Sequence, residues 1–478
     1  MKLPKEVKSI LEKLEKSGFE AYAVGGCVRD LLIEREPKDW DITTSAQPEQ
    51  IRKIFPDSFY ENKFGTVTVK TESKNTALSE IEITTYRIEE KYTDKRHPEK
   101  ISFTLDLKDD LARRDFTINA IALDKEGKII DSFDGQKDLE NKIIRAVGKP
   151  VERFSEDALR MLRAIRLSVQ LDFKVEDKTF KAIKDNAGLL QMIAKERIRD
   201  EFKKMIMSNI PDKAIELLKD SGLLKYIIPE LEKGIGVSQN RHHIYTIYQH
   251  SVLSLKFAAK RKYSLIVRLA ALFHDIAKPQ TKRGQGEDST FYNHDIVGAK
   301  FAINILTRLK FPRKTIGSVA NLIRNHMFVY SVDEVSEAGV RRLLRRAGKE
   351  NIKDLLDLRV ADRLGSGVPK AIPYKLRHLE YIIEKVSKDP ISPKMLKING
   401  NDLIKELEIK PGPKLGLIIE ALLAETLENP KLNIKEKLLK RAGELTKLSD
   451  KELKDKTKIV KEKKEEVDSE MKGKYWVK

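Results

Sequence analysis

Hydrophobic and polar positions alternate with two different periods along this chain. Near the N-terminus apolar residues recur at helical spacing, which predicts an amphipathic first helix: Val7, Ile10, Leu11 and Leu14. Runs rich in β-branched residues then predict strands: Tyr22–Val24, Thr66–Lys70 and Ile81–Tyr86. Two more runs are joined by Lys-Glu-Gly-Lys and predict a hairpin with glycine in its turn: Ala120–Asp124 and Ile129–Phe133.

Beyond Pro150 the strand signals almost vanish. Helical periodicity takes over in four stretches: Ser155 to about Ser221, about Tyr245 to Leu364, Tyr374–Val386 and Lys414–Glu428. The last segment, Lys431–Lys478, alternates lysine and glutamate densely, which predicts a solvated helix or a partly disordered tail. A mixed N-terminal region followed by helices alone predicts an α+β protein.

Composition narrows the class of protein. No apolar run approaches the roughly 18 residues of a membrane span, and the N-terminal helix lacks a signal-peptide core. The single cysteine, Cys27, excludes intramolecular disulfides and cysteine-rich zinc sites, so we expect a cytoplasmic protein with no membrane partner. The net charge of +19 and pI near 9.5 favour a polyanionic partner such as nucleic acid. The alternative, a generally basic protein without such a partner, stays open.

The segment Val24–Thr44, VGGCVRDLLIEREPKDWDITT, holds the first candidate chemistry. Asp39 and Asp41 lie two positions apart in a predicted strand, so both side chains should project from the same face. Upstream, the pair Gly25–Gly26 precedes a helix that is predicted to begin near Val28. Paired acids on one face can hold divalent metal ions, and a glycine turn entering a helix can cradle phosphates. Together they indicate metal-assisted transfer of a nucleotide.

A third acid is needed if two metal ions are bound. Glu82 is the best candidate, because flanking isoleucines place it on the opposite face of its predicted strand. A neighbouring strand in the same sheet would carry it alongside Asp39 and Asp41. Three such acids can hold two metal ions, one activating a hydroxyl and one stabilising pyrophosphate. The competing interpretation is an ordinary solvent-facing strand edge.

The same segment resembles the signature of class II CCA-adding enzymes, tRNA nucleotidyltransferases of the polymerase-β-like superfamily. Further motifs follow in the family's order: RRDFTINA (113–120), DSFDG (131–135), EDALRMLR (156–163) and the weaker ERIRDE (196–201). The resemblance implies a polymerase-β-like head with a mixed sheet, followed by all-α neck, HD and body domains. It implies template-independent addition of CCA to tRNA from CTP and ATP, with Mg²⁺ held by Asp39 and Asp41 and with Glu82 as the candidate third acid.

The resemblance also assigns nucleotide-binding roles. Gly25, Gly26 and Arg29 would contact the triphosphate, and the pair Asp134–Gly135 would shape a hinge between head and neck. Arg114, Asp115 and Asn119 would lie near the sugar, although that run also suits a charged turn. The family reads the incoming base with the residues matching Asp157 and Arg160, which the periodicity places at i and i+3 of one helix; Arg163 ends the same motif. On spacing alone, this pair would be a surface salt bridge.

The superfamily also contains poly(A) polymerases and enzymes that add only CC or only A. The segment from Tyr86 to Phe103 resembles the flexible loop of CCA-adding enzymes, which helps the site switch from CTP to ATP. Specificity would therefore depend on the loop around Asp94–Arg96 as well as on Asp157 and Arg160. Full CCA addition is favoured, and the other activities remain alternatives.

A second candidate centre follows the order His…His-Asp…Asp of HD-domain metal-dependent phosphohydrolases. Its residues are His250, His274, Asp275 and Asp362, and two further histidines occupy positions where two-metal members carry extra ligands: His294 and His326. Imidazoles and carboxylates suit a divalent metal with a bound water as nucleophile, and Lys278 could stabilise a phosphate. Proteins of this combined type are associated with phosphatase and 2′,3′-cyclic phosphodiesterase action.

Other functions compete with this assignment. Some HD domains attached to nucleotidyltransferases keep only the fold. Alarmone enzymes also join the two domains, but in them the HD domain comes first. A nucleotide phosphohydrolase and a non-catalytic RNA-binding relic are further alternatives, and the intact acids argue against the relic.

The sequence thus predicts four domains. They are a nucleotidyltransferase head (1–150), a helical neck that binds nucleotide and RNA (151–235), an HD domain (236–366), and a helical body with a charged tail (367–478). The tRNA would lie on the basic surface of neck and tail, held through its phosphates and shape. The oligomeric state is not predicted.

Overall fold

The computed structural model describes residues 2–60, 65–92, 98–240, 244–328, 330–332, 337–367, 374–388 and 396–477. The predicted CTP-to-ATP loop lies partly outside the described residues, because 93–97 are not among them. The chain divides into two compact units, Met1–His326 with Lys353–Pro369, and Met327–Ile352 with Lys370–Lys478. The four-domain division is finer than these two units and stays a prediction.

The strands lie in the N-terminal part of the chain, as predicted. They are β1 (Ala21–Val24), β2 (Asp41–Thr44), β3 (Ser58–Tyr60), β4 (Thr66–Lys70), β5 (Glu80–Thr85), β6 (Arg87–Tyr92), β7 (Pro98–Phe103), β8 (Ile121–Leu123), β9 (Ile129–Asp131), β10 (Ile143–Ile144) and β11 (Lys174–Val175). In the described part of the chain, seven of them form one sheet in the order β3-β4-β5-β2-β1-β8-β9. The β2–β5 pair is parallel and the other pairs are antiparallel, so the sheet is mixed.

Helices make up most of the rest. In the first half they are α1 (Lys5–Lys16), α2 (Gly26–Leu32), α3 (Pro48–Ile54), α4 (Leu107–Ala112), α5 (Gly135–Glu140), α6 (Pro150–Glu156), α7 (Leu159–Leu171), α8 (Asp177–Asn186), α9 (Lys195–Ile206), α10 (Pro211–Asp220), α11 (Leu224–Ile227) and α12 (Pro229–Glu232). Helix α2 begins at Gly26 rather than near Val28, because Gly25 already supplies the left-handed turn before it.

The second half is helical, as predicted. Its helices are α13 (Ile247–Lys260), α14 (Leu265–Phe273), α15 (Lys278–Thr281), α16 (His294–Arg308), α17 (Arg313–Asn325), α18 (Glu337–Ala347), α19 (Ile352–Gly365), α20 (Tyr374–Lys388), α21 (Gly400–Leu407), α22 (Pro413–Glu428), α23 (Lys435–Leu445) and α24 (Asp450–Tyr475). Among the described residues, none of these helices combines the length and the apolarity needed to cross a bilayer.

The sheet separates an apolar face from a polar one. Ile42 and Ile83 lie between polar residues and are fully buried, as is Ala23 on the neighbouring strand β1. Helix α1 packs on β1, and α3 packs on β4 and β5. Because side chains alternate along a strand, Asp41 and Glu82 project from the other face.

A buried arginine joins two helical parts of the first unit. Arg268 on α14 is only 4% exposed. Its guanidinium donates to the carbonyls of Ile206, Ser208 and Tyr263 at 2.9, 2.8 and 3.0 Å. Burial lowers the pKa of this arginine. The end of α9 is therefore capped by a side chain that lies some sixty positions later in the chain.

Candidate active sites

Strands β2 and β5 bring two predicted acids together. They run parallel with Asp41 directly opposite Glu82, so both side chains stand side by side on one face of the sheet. The predicted position of Glu82 beside the aspartates is therefore confirmed for Asp41. Asp39 lies on a bend before β2, which begins only at Asp41, so the prediction that one strand carries both aspartates is wrong. Burial and the Asp39 charge raise the pKa of Asp41, against the opposing effect of Arg114.

The glycine turn lies directly against these acids. Gly25 has a φ of +87°, and a Cβ added there would lie 2.9 Å from Nη1 of Arg114 and 3.6 Å from Oδ2 of Asp41. A side chain at this position is disfavoured by the backbone conformation and would displace the Arg114 guanidinium. The Nε of Arg114 is buried and has no hydrogen-bond partner among the described residues. The turn therefore packs against both the Arg114 guanidinium and the Asp41 carboxylate. In the described part of the chain, the Nε donor of Arg114 makes no hydrogen bond.

Residues of three motifs form one hydrogen-bonded chain. Asp115 accepts from Arg163 Nε at 2.7 Å and from Asn119 Nδ2 at 3.0 Å, and Asn119 Oδ1 accepts from Arg29 at 2.8 Å. Arg29 also pairs with Asp30, its neighbour in the chain. Burial alone would raise the pKa of Asp115, but Arg163 and the Asn119 hydrogen bond lower it to about 2. Asp115 is thus a fixed anion that orients two arginines.

Asp110 is a site residue that the sequence reasoning missed. Its side chain is fully buried and accepts from Thr43 Oγ1 at 3.0 Å, from Arg113 Nε at 2.9 Å and from Arg114 Nη2 at 3.5 Å. Burial opposes its charge, yet the two arginines lower its pKa. Asp110 therefore ties strand β2 to the double arginine. The only signal in the sequence was its spacing of three and four residues from those arginines.

The predicted pairing of Asp157 and Arg160 on one helix is wrong. Helix α6 ends at Glu156, Asp157 is extended (φ −133°, ψ 103°), and α7 begins at Leu159. Asp157 accepts from the backbone N–H of Leu159 at 3.0 Å and from Arg197 at 2.8 Å. The chain breaks here because the carboxylate caps the start of α7 instead of continuing α6. Arg197, in the weakest motif, was not predicted as a site residue.

Arg160 is held by other partners. It donates to Glu156 at 2.7 Å and to the carbonyls of Arg113 and Arg153 at 2.9 and 3.3 Å. Its guanidinium therefore connects α7 to the double-arginine segment. Both predicted base-reading residues lie at the break between the two helices.

Asp134 and Gly135 form a tight turn. Asp134 has a φ of +59°, and a Cβ on Gly135 would lie 2.4 Å from the carbonyl oxygen of Thr117. Asp131 accepts from the N–H groups of Gly135 and Gln136 at 2.9 and 2.8 Å. The glycine is thus required by close packing, and the hinge role stays a prediction.

The six residues of the second candidate centre form one buried cluster, here called the histidine–aspartate cluster. His250 Nε2 lies 3.0 Å from His274 Nε2, 3.3 Å from Asp275 Oδ2 and 3.3 Å from Asp362 Oδ1. On the other side, Asp275 Oδ1 lies 3.5 Å from His294 Nε2 and 3.8 Å from His326 Nε2. The two oxygens of Asp275 therefore face two separate groups of ligand atoms.

The ring orientations of three histidines fit metal ligation. Nδ1 lies next to the backbone carbonyl three residues earlier in His274 (2.9 Å), His294 (2.7 Å) and His326 (2.7 Å). Nδ1 is then the protonated nitrogen, and the Nε2 lone pair points into the cluster. His274 and Asp275 are adjacent yet both reach the centre, because they follow the end of α14.

The charges within the cluster are strongly coupled. Burial disfavours a charged ring, but Asp275 and Asp362 raise the pKa of His274 to about 10. Burial and the nearby His274 lower the pKa of His326 to about 3. Lys278 donates to Asp275 at 2.7 Å and to Gln239 at 2.7 Å. A divalent ion would take the place of these ring protons, since it satisfies the same carboxylates.

Three family models match the chain. Residues 21–145 match the poly A polymerase head domain, 172–235 match an RNA and SrmB binding site of polymerase A, and 293–442 match tRNA nucleotidyltransferase domain 2. These matches support the resemblance that the motifs indicated, and the second of them covers part of the predicted neck.

Curated relatives point the same way. The chain is 50% identical over 228 residues to the CCA-adding enzyme of Ligilactobacillus salivarius. The aligned region is 47% of this chain and 55% of that enzyme. The chain is 49% identical over 238 residues to the CCA-adding enzyme of Lactococcus lactis, covering 48% and 58%. The matched regions thus span little more than half the length of these relatives.

Solved structures extend the likeness over nearly the whole chain. The Bacillus stearothermophilus CCA-adding enzyme in complex with CTP matches with a TM-score of 0.60 and 29% identity, covering 93% of this chain and 98% of that one. The Thermotoga maritima CCA-adding enzyme complexed with tRNA matches with a TM-score of 0.51 and 20% identity, covering 91% and 93%. The resemblance to CCA-adding enzymes and the α+β fold with a nucleotidyltransferase head are confirmed.

Proposed function

We propose that this chain adds C, C and A to the 3′ ends of tRNA, without a nucleic-acid template, from CTP and ATP. The observation that carries the proposal is the register of Asp41 opposite Glu82, beside a glycine turn that packs against Arg114. Carboxylate oxygens at this spacing suit Mg²⁺, a hard cation that prefers oxygen ligands. Asp39 would complete the set from the adjoining bend.

The chain's own residues would position both reactants. Backbone N–H groups of Gly25 and Gly26, with Arg29 and Arg114, would bind the triphosphate by charge-assisted hydrogen bonds. Two Mg²⁺ ions, when bound, supply polarisation of the attacking hydroxyl and neutralisation of the leaving group. The tRNA 3′-hydroxyl attacks the α-phosphorus, the bond to the β-phosphate oxygen breaks, and pyrophosphate leaves.

Selection of the base would take place at the α6–α7 break. Arginine offers donors to the O2 and N3 of cytosine, and aspartate accepts from its exocyclic amine. Arg197 donates to Asp157 at 2.8 Å and fixes the direction of that carboxylate. Glu156 and two carbonyls fix the direction of Arg160. The two residues would then be oriented before the nucleotide arrives.

The proposal is tested with three tRNAs, ending before CCA, after C and after CC, each offered CTP or ATP alone. We expect CTP to extend the first two and ATP to extend only the third, with synthesis stopping once CCA is complete. Continued addition of A to every substrate would instead indicate a poly(A) polymerase. Extension of only one class of end would indicate a CC-only or A-only enzyme.

The histidine–aspartate cluster supports a second, metal-dependent activity. The predicted HD-domain ligands present Nε2 and carboxylate atoms around two centres that share Asp275. A divalent metal there would supply a bound water as nucleophile, and Lys278 lies beside the shared aspartate to contact a phosphate. The site suits hydrolysis of phosphate esters, including 2′,3′-cyclic phosphates at damaged tRNA ends.

Hydrolysis is checked with 2′,3′-cyclic nucleotides and the metal-loaded protein. We expect ring opening that His274→Ala abolishes while CCA addition continues. A protein that binds metal, adds CCA and leaves cyclic nucleotides intact would contradict this activity. Alarmones and free nucleotides serve as the competing substrates.

A further inference from the structure

Helix α18, in the second unit, concentrates positive charge on one face. Over Glu337–Ala347 it carries four exposed arginines: Arg341, Arg342, Arg345 and Arg346. Its apolar residues are buried: Val340, Leu343, Leu344 and Ala347. The helix is therefore anchored by one face and presents a row of guanidinium groups on the other.

Two of these arginines line a pocket of about 490 Å³. Arg342 and Arg346 are four residues apart and so lie on one side of the helix, above each other. Phe328 and Tyr330 line the same pocket, with the half-exposed Met327 at its edge. We call this site, lined by Met327, Phe328, Tyr330, Arg342 and Arg346, the arginine pocket.

The aromatic wall is supported from α20. The hydroxyl of Tyr330 is hydrogen-bonded to Nδ1 of His378, and their rings lie 6.0 Å apart at 31°. His378 is itself in contact with Tyr374 and Tyr381, whose ring centroids lie 5.9 and 5.6 Å away. Because its hydroxyl is held, the Tyr330 ring keeps its direction when a ligand enters.

Guanidinium groups beside aromatic rings match the two parts of a nucleotide. A phosphate accepts bidentate hydrogen bonds from arginine, and an unpaired base stacks on an aromatic face. Among the residues that the structure describes, Arg341 is paired with Glu337, whereas no carboxylate forms an ion pair with Arg342 or Arg346. In the described part of the chain, no carboxylate therefore competes with an outside anion for these two guanidinium groups.

We infer that the arginine pocket binds one unpaired nucleotide of an RNA, with its base against Tyr330 and its phosphate on Arg342 and Arg346. The inference names a contact for the proposed tRNA substrate and in that respect rests on the proposed function. The net charge of +19 favours the same polyanionic partner. Unpaired nucleotides occur in tRNA loops, whereas a continuous RNA duplex offers none.

The helix provides its own matched control. Arg342→Ala with Arg346→Ala removes two charges from the pocket, and Arg341→Ala with Arg345→Ala removes two at the same spacing outside it. We expect the pocket pair to weaken tRNA binding by about ten- to a hundredfold, and the other pair by only a few-fold. Binding to a fully paired RNA duplex should fall equally little in both double variants.

A third variant separates stacking from charge. Tyr330→Leu should weaken tRNA binding by about five- to a hundredfold with no change in the salt dependence of Kd, because no charge is lost. The pocket arginine pair should flatten the slope of log Kd against log salt by about one to two. Unchanged thermal unfolding would show that all variants remain folded.

Equal losses in the two arginine pairs, or wild-type affinity in Tyr330→Leu, would overturn the inference. Loss of binding to a polyglutamate peptide with tRNA binding intact would also overturn it, in favour of an acidic protein partner. CCA addition is measured in parallel. A wild-type protein that adds nothing, but whose RNA binding depends on the pocket, would refute the proposed function and leave the inference standing.

Discussion

Asp41→Asn is expected to lower the rate of nucleotide addition by at least about a thousandfold, with the fold intact. The amide keeps the size of the side chain but removes the charge that binds Mg²⁺ next to the attacking hydroxyl and the leaving group. Asp41 lies opposite Glu82 at the centre of the proposed site, so its charge is lost from the middle of the acid set. Single-turnover extension of a tRNA lacking CCA, with CTP alone, measures the effect.

Strand β5 offers the control for the third acid. Glu80 and Glu82 lie two residues apart and therefore on the same face of β5, but only Glu82 is opposite Asp41. Glu82→Gln should slow addition strongly, whereas Glu80→Gln should leave the rate unchanged. Wild-type rates in Glu82→Gln, or residual addition in Asp41→Ala, would remove these residues from the metal site. His274→Ala should spare addition altogether.

The histidine–aspartate cluster is expected to bind two divalent ions per chain, and Asp275→Ala to lose both. Among the residues that the structure describes, Asp275 is the one shared by both groups of ligand atoms, His250 with His274 on one side and His294 with His326 on the other. Removing a shared ligand also leaves the two ions without the carboxylate that screens their mutual repulsion. Metal content per chain, by elemental analysis after dialysis, gives the answer directly.

Variants that remove a ligand from only one of the two groups test whether each group binds its own ion. His294→Ala should retain one ion, because His250, His274, Asp275 and Asp362 remain on the other side. His378→Ala should retain both, since that ring lies in the second unit and contacts only its tyrosines among the rings that the structure describes. A wild-type protein with no bound divalent metal, or an Asp275→Ala variant that keeps both ions, would contradict the predicted metal site.

The local sequence pattern predicted a side chain's position correctly where that side chain lies on a regular strand or in a known motif. Alternation along β5 placed Glu82 on the face opposite its isoleucines, and the parallel register then put it beside Asp41. The four cluster histidines followed from their order with two aspartates. In each case the side-chain direction depends on a regular strand or on a known motif, and both can be recognised from the sequence.

The features that the sequence did not predict depend on contacts between residues that are far apart in the chain. The helix predicted through Asp157 and Arg160 is broken at Asp157, whose carboxylate accepts from Leu159 at the start of α7 and from Arg197, forty residues later. Asp110, on helix α4, is a site residue because it binds Thr43, which lies far away in the chain on strand β2. Spacing in the sequence contains no information about such partners, since nothing local distinguishes a buried carboxylate from a solvated one.

Arg268 makes the helical segment before residue 236 dependent on the segment that follows it. The sequence predicts a boundary there, between a helical neck and an HD domain. Yet the carbonyls of Ile206 and Ser208 are satisfied by an arginine from the later segment. A polypeptide ending at the apparent module boundary would leave those carbonyls unpaired, at about 1–3 kcal/mol for each that stays buried. We therefore expect the segment up to residue 235 to be less stable on its own than within the whole chain.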